Sequence, residues 1–228
     1  MQKISKPFAV ICYIFAAAFL IIYAAADFVP RLYLSTAGRL VLLCGCCVFL
    51  WLGGFVFAKS TGNNRPMKIN LRIYLGLFLM LFITLTLFDP LWGRNGGFVI
   101  WNRELFDAYI KNSINLVPFK TIAEYFVKGD MRQFIINIAG NIVCLAPLGI
   151  LLPLNFKKQN NPWIFLITCS LIVFSVEILQ FLTLAGSCDI DDLILNVFGA
   201  FMAFIIAKEN NINRFLRYIL LLEGGKEK

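Results

Sequence analysis

The sequence has no histidine and few charged residues, and both shortages restrict what the protein can be. Without histidine, a zinc site of the usual mixed ligand set and a phosphatase with a histidine nucleophile are both disfavoured. No Gly-x-Ser-x-Gly motif is present, which argues against a hydrolase with that nucleophile. Charged residues make up 15% of the chain, against about one quarter in soluble domains. A soluble globular enzyme is therefore excluded.

The cysteines do not suggest a disulfide framework, because their number, seven, is odd and most lie inside apolar runs. Cysteine in such runs acts as a small hydrophobic residue. We therefore expect simple packing at six positions, namely Cys12, Cys44, Cys46, Cys47, Cys144 and Cys169.

Long hydrophobic runs dominate what remains: 60% of the 228 residues are hydrophobic and the mean hydropathy is +0.78. About 20 mostly apolar residues are needed to cross the roughly 30 Å hydrocarbon core. The first run exceeds the 7 to 15 residues of a usual signal core, so we interpret it as a retained span. The sequence thus predicts an all-α, polytopic transmembrane bundle of about six spans, at 8–26, 39–58, 69–88, 134–154, 163–184 and 193–207.

The basic residues predict the orientation, since lysine and arginine accumulate on the cytoplasmic side of short connections. They precede span 1, cluster between spans 2 and 3 and between spans 4 and 5, and follow span 6. Both termini are therefore expected in the cytoplasm, with residues 208–228 as an amphipathic tail. The net charge of +8 forms no continuous basic stripe, so we expect a lipid bilayer and no nucleic acid as partner.

The long connection between spans 3 and 4 is predicted to lie outside and to carry interfacial helices. Leu105, Phe106, Tyr109 and Ile110 recur at helical spacing. Pro118 follows and biases the residue before it to an extended conformation. We therefore expect two helices on the outer surface, separated by a break around Pro118.

Polar residues in three spans fall at one predicted depth, near the outer ends. The pairs Asn137 and Asn141, Glu177 and Gln180, and Asp192 and Asn196 each share one helix face. Pro147 is expected to kink span 4, and Gly199 to allow spans 4 and 6 to approach closely. Asparagine and glutamine alone would suggest helix contacts through hydrogen bonds. Helix contacts alone do not explain Glu177, because a carboxylate at lipid depth needs positive charge from the loop, from a metal or from a ligand.

Four motifs in order, "INLVPFKTI", "NIAGNIVCLAPLGILLP", "SVEILQ" and "DIDDLILNVFGA", resemble the VanZ-like family of bacterial membrane proteins. The resemblance divides the chain into an N-terminal helix pair (1–68), a VanZ-like domain (69–207) and the tail (208–228). It implies a bacterial cell-membrane protein and a role in low-level resistance to the glycopeptide teicoplanin. Gly186, Ser187 and Cys188 stand where the family often has Gly-Arg, so no role can rest on that arginine. Ligand-pocket candidates are Asn115, Asn137, Asn141, Glu177, Gln180, Asp189, Asp191, Asp192 and Asn196.

Several functions remain open at this point. Glu177, Asp189 and Asp192 form an oxygen-rich set of the kind that Mg²⁺, Ca²⁺ or Mn²⁺ prefers, and such a cation could hold the phosphates of a lipid-linked cell-wall precursor. The same set could serve a metal-dependent enzyme, while intramembrane acids also suggest a transporter or flippase. A glycopeptide antibiotic is a further candidate ligand, and a structural protein with solvated acids is the plainest alternative.

Overall fold

The computed structural model describes residues 2–29, 34–87, 103–128, 131–184 and 188–222, and these are largely helical. Short connections carry a 3-10 turn at Lys157–Asn160 and two strands of two residues each. The strands are β1 (Ile114–Asn115) and β2 (Cys188–Asp189). The helices are α1 (Gln2–Phe28), α2 (Thr36–Thr61), α3 (Arg65–Leu87), α4 (Arg103–Ser113), α5 (Lys120–Lys128), α6 (Met131–Cys144), α7 (Ala146–Asn155), α8 (Pro162–Thr183), α9 (Ile190–Lys208) and α10 (Asn210–Ile219).

Six helical segments among the described residues are long and apolar enough to cross a membrane, which confirms the predicted multi-pass bundle. The sixth span begins at Ile190, three residues before its apolar run begins. Asp191 and Asp192 lie in the first turn of this helix. Carboxylates are favoured there by the positive end of the helix dipole. The six segments are Lys6–Ala26, Thr36–Thr61, Arg65–Leu87, Phe134–Asn155, Pro162–Thr183 and Ile190–Lys208.

The predicted kink in span 4 is a short interruption at Leu145. Helix α6 ends at Cys144, and α7 begins at Ala146 with Pro147 in its first turn. Proline has no N–H for the bond to the residue four before it, and its ring clashes with that carbonyl. The backbone N–H of Leu148 instead donates to the carbonyl of Leu145 at 3.0 Å.

The chain divides into two compact units, of which the first comprises Met1–Leu77 and Glu209–Lys228. Its helices α1 and α2 pack along each other. Buried Asn70 donates from Nδ2 to the carbonyl of Leu50 at 2.6 Å. Glu209 caps α10 by accepting from two backbone N–H groups, and Trp51 donates from Nε1 to the carbonyl of Ile219 at 3.0 Å.

The second unit, Phe78–Lys208, is organised around α9, which packs against α6, α7 and α8. Helix α9 can approach α6 and α7 closely because glycine residues lie at both contacts. A Cβ on Gly199 would lie 1.8 Å from the carbonyl oxygen of Ile142 in α6, and one on Gly149 would lie 2.5 Å from that of Ala200. The predicted contact between spans 4 and 6 through Gly199 is therefore present.

The segment between spans 3 and 4 contains α4 and α5, with β1 and a turn between them. Helices thus occur where the apolar spacing and Pro118 predict them, while their position at the membrane surface stays a prediction. Strands β1 and β2 form a parallel pair that the sequence reading did not anticipate. This pairing positions residues of the candidate site.

Candidate functional site

The parallel pair brings the 114–122 segment onto the start of α9. Ile114 lies opposite Cys188, and Asn115 lies opposite Asp189. Two of the motifs that carry the family resemblance therefore meet in the structure, although they are more than sixty residues apart in the sequence.

Asp189 is the centre of this contact. One of its carboxylate oxygens, Oδ1, accepts from Nδ2 of Asn115 and from the backbone N–H of Asp191, both at 2.9 Å. The other, Oδ2, accepts from the hydroxyl of Thr121 at 2.5 Å. The bond to the Asp191 N–H caps the first turn of α9. Both oxygens of Asp189 are thus engaged within the protein.

Asp191 holds the same segment through its backbone and is 1% exposed. Its carboxylate accepts from the backbone N–H groups of Phe119 and Ile122, the second at 3.2 Å. These groups lie at the beginning of α5, where backbone donors lack helical partners. Phe119 has a φ of 65°, a left-handed conformation that is uncommon for a bulky residue. Asp191 therefore stabilises both the turn and the start of α5.

Glu177 on α8 is only 7% exposed and lies next to this contact. Its Oε2 accepts from the backbone N–H of Asp189 at 3.3 Å, and it also accepts from the thiol of Cys188. Cys188 lies outside the membrane spans, and burial followed by the nearby negative charge of Glu177 raises the pKa of its thiol. These two donors to Glu177 are neutral groups.

A small cavity of about 60 Å³ lies beside Glu177, large enough for a few water molecules. Five predicted residues lie in its wall: a pair of carboxylates and three carboxamides. Apolar side chains, Thr86 and the thiol of Cys144 complete it. No basic side chain lines the cavity in the described part of the chain. The five predicted residues are Asn141, Glu177, Gln180, Asp192 and Asn196.

Hydrogen bonds orient the carboxamides of the wall. Asn141 donates from Nδ2 to the carboxylate of Asp192, and Asn196 donates from Nδ2 to the backbone carbonyl of Asp192 at 2.8 Å. Gln180 donates from Nε2 to the carbonyl of Thr86 at 3.0 Å. Nδ2 of Asn196 also donates to Oδ1 of Asn141 at 3.5 Å, so the oxygen of Asn141 accepts a hydrogen bond within the wall. Oδ1 of Asn196 is buried and has no hydrogen-bond partner among the described residues.

Eight of the nine predicted residues therefore fall into two groups joined by Glu177. Asn115, Asp189 and Asp191 hold the 114–122 segment, while five residues line the cavity. Asn137 lies one turn before Asn141 on α6 and is not part of the cavity wall. Across the described ranges, no group of three or more histidine, cysteine, aspartate or glutamate side chains is arranged to hold a metal ion. The proposed set of Glu177, Asp189 and Asp192 stays a prediction.

Sequence reasoning missed Thr121, Thr86 and the two thiols at the site, Cys144 and Cys188. Thr121 lies inside the "INLVPFKTI" motif, and its hydroxyl was the one side-chain donor there besides Asn115 and Lys120. Thr86 contributes a backbone carbonyl, for which a sequence gives no signal. Cys144 was expected only to pack, and Cys188 was noted only as part of the stretch that lacks the family's Gly-Arg.

The profile of the VanZ/LLP1 family matches residues 72–216. Protein VanZ from Enterococcus faecium is 31% identical over 137 residues, which cover 59% of this chain and 71% of the relative. No solved structure matches the chain. The matched region contains every residue of the cavity wall.

Proposed function

Because the chain belongs to the VanZ/LLP1 family, we propose that it binds a polar group of a cell-envelope ligand at the cavity beside Glu177. Through this binding it contributes to resistance to glycopeptide antibiotics of the teicoplanin type. The ligand is a lipid-linked cell-wall precursor or the antibiotic itself. The protein acts in the bacterial cell membrane, with both termini in the cytoplasm and the cavity open toward the outside.

The observation that carries this proposal is the chemistry of the cavity wall. Glu177 and Asp192 contribute carboxylates, and the oxygen of Asn196 is buried without a described partner. Polar groups at membrane depth are costly unless they are paired, and they commonly mark binding sites. A bound ligand that donates hydrogen bonds or carries positive charge would offset that cost.

A divalent cation is one way to supply the positive charge. Mg²⁺, Ca²⁺ and Mn²⁺ prefer oxygen ligands such as those of Glu177, Asp192 and the carboxamides. Asp189 is the weakest of the three predicted ligands, because both of its oxygens already accept hydrogen bonds from Asn115 and Thr121. A cation bound by Glu177, Asp192 and the carboxamides would allow a phosphate-bearing lipid to bind at an otherwise acidic site.

The test is teicoplanin susceptibility in a deletion strain complemented with wild type, Glu177→Gln or Asp192→Asn. Asp107→Asn is the matched control, because Asp107 is an exposed acid on α4. We expect the two cavity variants to lose resistance at unchanged membrane levels and the control to keep it. Full resistance in both cavity variants would refute the proposed role of the cavity.

A further inference from the structure

Helix α10 ends against α2 at a level inside the membrane. Trp51 of α2 donates from Nε1 to the carbonyl of Ile219, the last residue of α10, at 3.0 Å. Trp51 precedes the last residue of the span Thr36–Thr61 by ten positions, about 15 Å along the helix. This span has 26 residues and is about 39 Å long, roughly 9 Å longer than the bilayer core. Trp51 is therefore inside the core even if the whole excess lies at this end, and the end of α10 lies beside lipid.

The exposed side of α10 changes from charged to apolar around the helix. Arg214 is exposed, and Tyr218 and Phe215 are 69% and 61% exposed. At 3.6 residues per turn, Tyr218 lies between Arg214 and Phe215 on the helix surface. Tyrosine is enriched at membrane interfaces because its ring is apolar and its tip is polar. The order of these three side chains thus matches the change from headgroups to hydrocarbon at the edge of a bilayer, which indicates that lipid covers this side of α10.

Two arginines form the polar edge of this side. Arg214 and Arg217 are three positions apart, so they are neighbours on the helix surface. Arg217 donates from Nε to Oδ1 of Asn213 at 2.7 Å, which orients its guanidinium group. Within the described ranges, neither arginine forms an ion pair. Neighbouring like charges repel each other, so an anion bound to both arginines would stabilise this part of the helix.

Glu209, the acid nearest to these arginines in the described sequence, serves another purpose. It lies directly before α10 and caps that helix. Its Oε2 accepts from the backbone N–H groups of Asn211 and Ile212 at 2.9 and 3.0 Å, and its Oε1 accepts from Nδ2 of Asn211 at 3.3 Å. Both carboxylate oxygens are thus engaged at the start of α10.

A third basic residue lies on the face of α2 that contacts α10. Phe55 and Lys59 follow Trp51 at intervals of four positions, so the three share one helix face. The rings of Trp51 and Phe55 stack at 5.2 Å, and Nζ of Lys59 lies 5.7 Å from the centre of the Phe55 ring. Lys59 is exposed, two residues before the end of α2. The face of α2 next to α10 therefore ends in a positive charge.

We propose that α10 binds an anionic phospholipid of the bilayer. Arg214 and Arg217 hold its phosphate, while Tyr218 and Phe215 pack against its glycerol backbone and acyl chains. Guanidinium groups suit this role because their planar donors pair with two phosphate oxygens at once. A free phosphate ion would pair with the arginines but would leave both aromatic rings in water. This lipid site is separate from the cavity beside Glu177 and does not depend on the proposed function.

The experiment measures the melting temperature of the purified full-length chain in an uncharged detergent while phosphatidylglycerol, phosphatidylcholine or glycerol phosphate is added. We expect phosphatidylglycerol to raise the melting temperature at a concentration about tenfold lower than phosphatidylcholine does, because the arginines attract its net negative charge. Glycerol phosphate, which carries the same headgroup chemistry without acyl chains, is expected to leave the melting temperature unchanged.

Paired variants locate the site. Arg214→Gln combined with Arg217→Gln is expected to abolish the preference for phosphatidylglycerol. Lys157→Gln combined with Lys158→Gln is the matched control, because it removes two charges from an exposed turn in the other compact unit, and it is expected to keep the preference. Phe215→Gln leaves the arginines in place and is expected to weaken the effects of both phospholipids.

Three results would overturn the inference: equal effects of the two phospholipids on the wild-type chain, an unchanged preference in the arginine double variant, or an equal loss in the lysine control. A shift with glycerol phosphate as large as that with phosphatidylglycerol would instead identify a site for free phosphate. Each variant is first checked for a wild-type elution profile and melting temperature in lipid-free detergent. If the double variant fails this check, Arg214→Gln alone replaces it, because Arg214 is exposed. The single variant is expected to weaken the preference, and an unchanged preference would again refute the lipid site.

Discussion

Asn115 donates from Nδ2 to Oδ1 of Asp189 at 2.9 Å, across a parallel pair of strands only two residues long. This bond joins the segment between spans 3 and 4 to the start of span 6. The neighbouring backbone N–H of Asp189 donates to Glu177 of span 5. The polar cavity thus lies next to a hydrogen-bonded support that three parts of the chain build together.

Oxidative cross-linking tests the strand pairing directly. Positions 114 and 188 face each other in the pair, and facing positions on neighbouring strands lie about 5 Å apart, within the range of a disulfide. In a chain whose cysteines other than Cys188 are replaced by alanine, Ile114→Cys is expected to form a cross-link with Cys188 under mild oxidant. The cross-link is detected as a change in mobility on a non-reducing gel, after the chain has been cleaved between positions 114 and 188.

Val127→Cys in the same background is the control for the cross-link, because Val127 is exposed on α5 and outside the strands. It is expected to remain reduced. A cross-link from position 127 as efficient as that from position 114 would show that the two strands are not paired as described.

Replacing Asp191 with alanine is expected to destabilise the turn before α5. The backbone N–H groups of Phe119 and Ile122 would lose their acceptor, at a cost of about 1–3 kcal/mol. For a chain of this size each kcal/mol lowers the melting temperature by roughly 2–4 °C. Thermal unfolding of the purified protein measures the change, with Asp107→Ala as an exposed control. Equal melting temperatures for Asp191→Ala and wild type would argue against the capping role.

Adding a single methyl group at Gly199 is expected to force α6 and α9 apart. A Cβ there would lie 1.8 Å from the carbonyl oxygen of Ile142, whereas one on Gly76 in α3 meets nothing within 4 Å. Overpacking of this kind typically costs 1–3 kcal/mol or more. Gly199→Ala should therefore lower both the melting temperature and the yield of folded protein, while Gly76→Ala should not. Similar behaviour of the two variants would contradict the close helix contact.

Alkylation of Cys188 should depend on pH through Glu177. The thiolate is the reactive form, and burial together with Glu177 raises the pKa of this thiol. Labelling of a Cys188-only chain should consequently be slow near neutral pH and rise only at more alkaline pH than for an exposed cysteine. Glu177→Gln removes a negative charge, so the same rise should move to lower pH. An identical profile in both chains would exclude the thiol–carboxylate contact.

The sequence predicted most of the membrane architecture, because apolar runs of about 20 residues have one stable solution in a bilayer. It also placed Asn141, Glu177, Gln180, Asp192 and Asn196 in one layer, since helical rise alone fixes their depth. The five line one cavity in the structure.

The roles of Asp189 and Asp191 could not be predicted in the same way. Their partners, Asn115, Thr121 and the backbone of Phe119, lie about seventy positions earlier. No helical period relates them, and a two-residue strand leaves no pattern in sequence. The three acids within residues 189–192 were therefore all pocket candidates, although Asp192 alone among them lines the polar cavity.

The central claim is that Glu177 and Asp192 act as one binding site, and a double-mutant cycle tests it most directly. Teicoplanin susceptibility and membrane level are measured for Glu177→Gln, Asp192→Asn and the double variant in the complemented deletion strain. Residues that serve one site show strongly non-additive effects. We predict that each single variant loses most of the resistance at wild-type protein level and that the double variant is no worse. Full resistance in either single variant, or independent additive losses, would contradict the account.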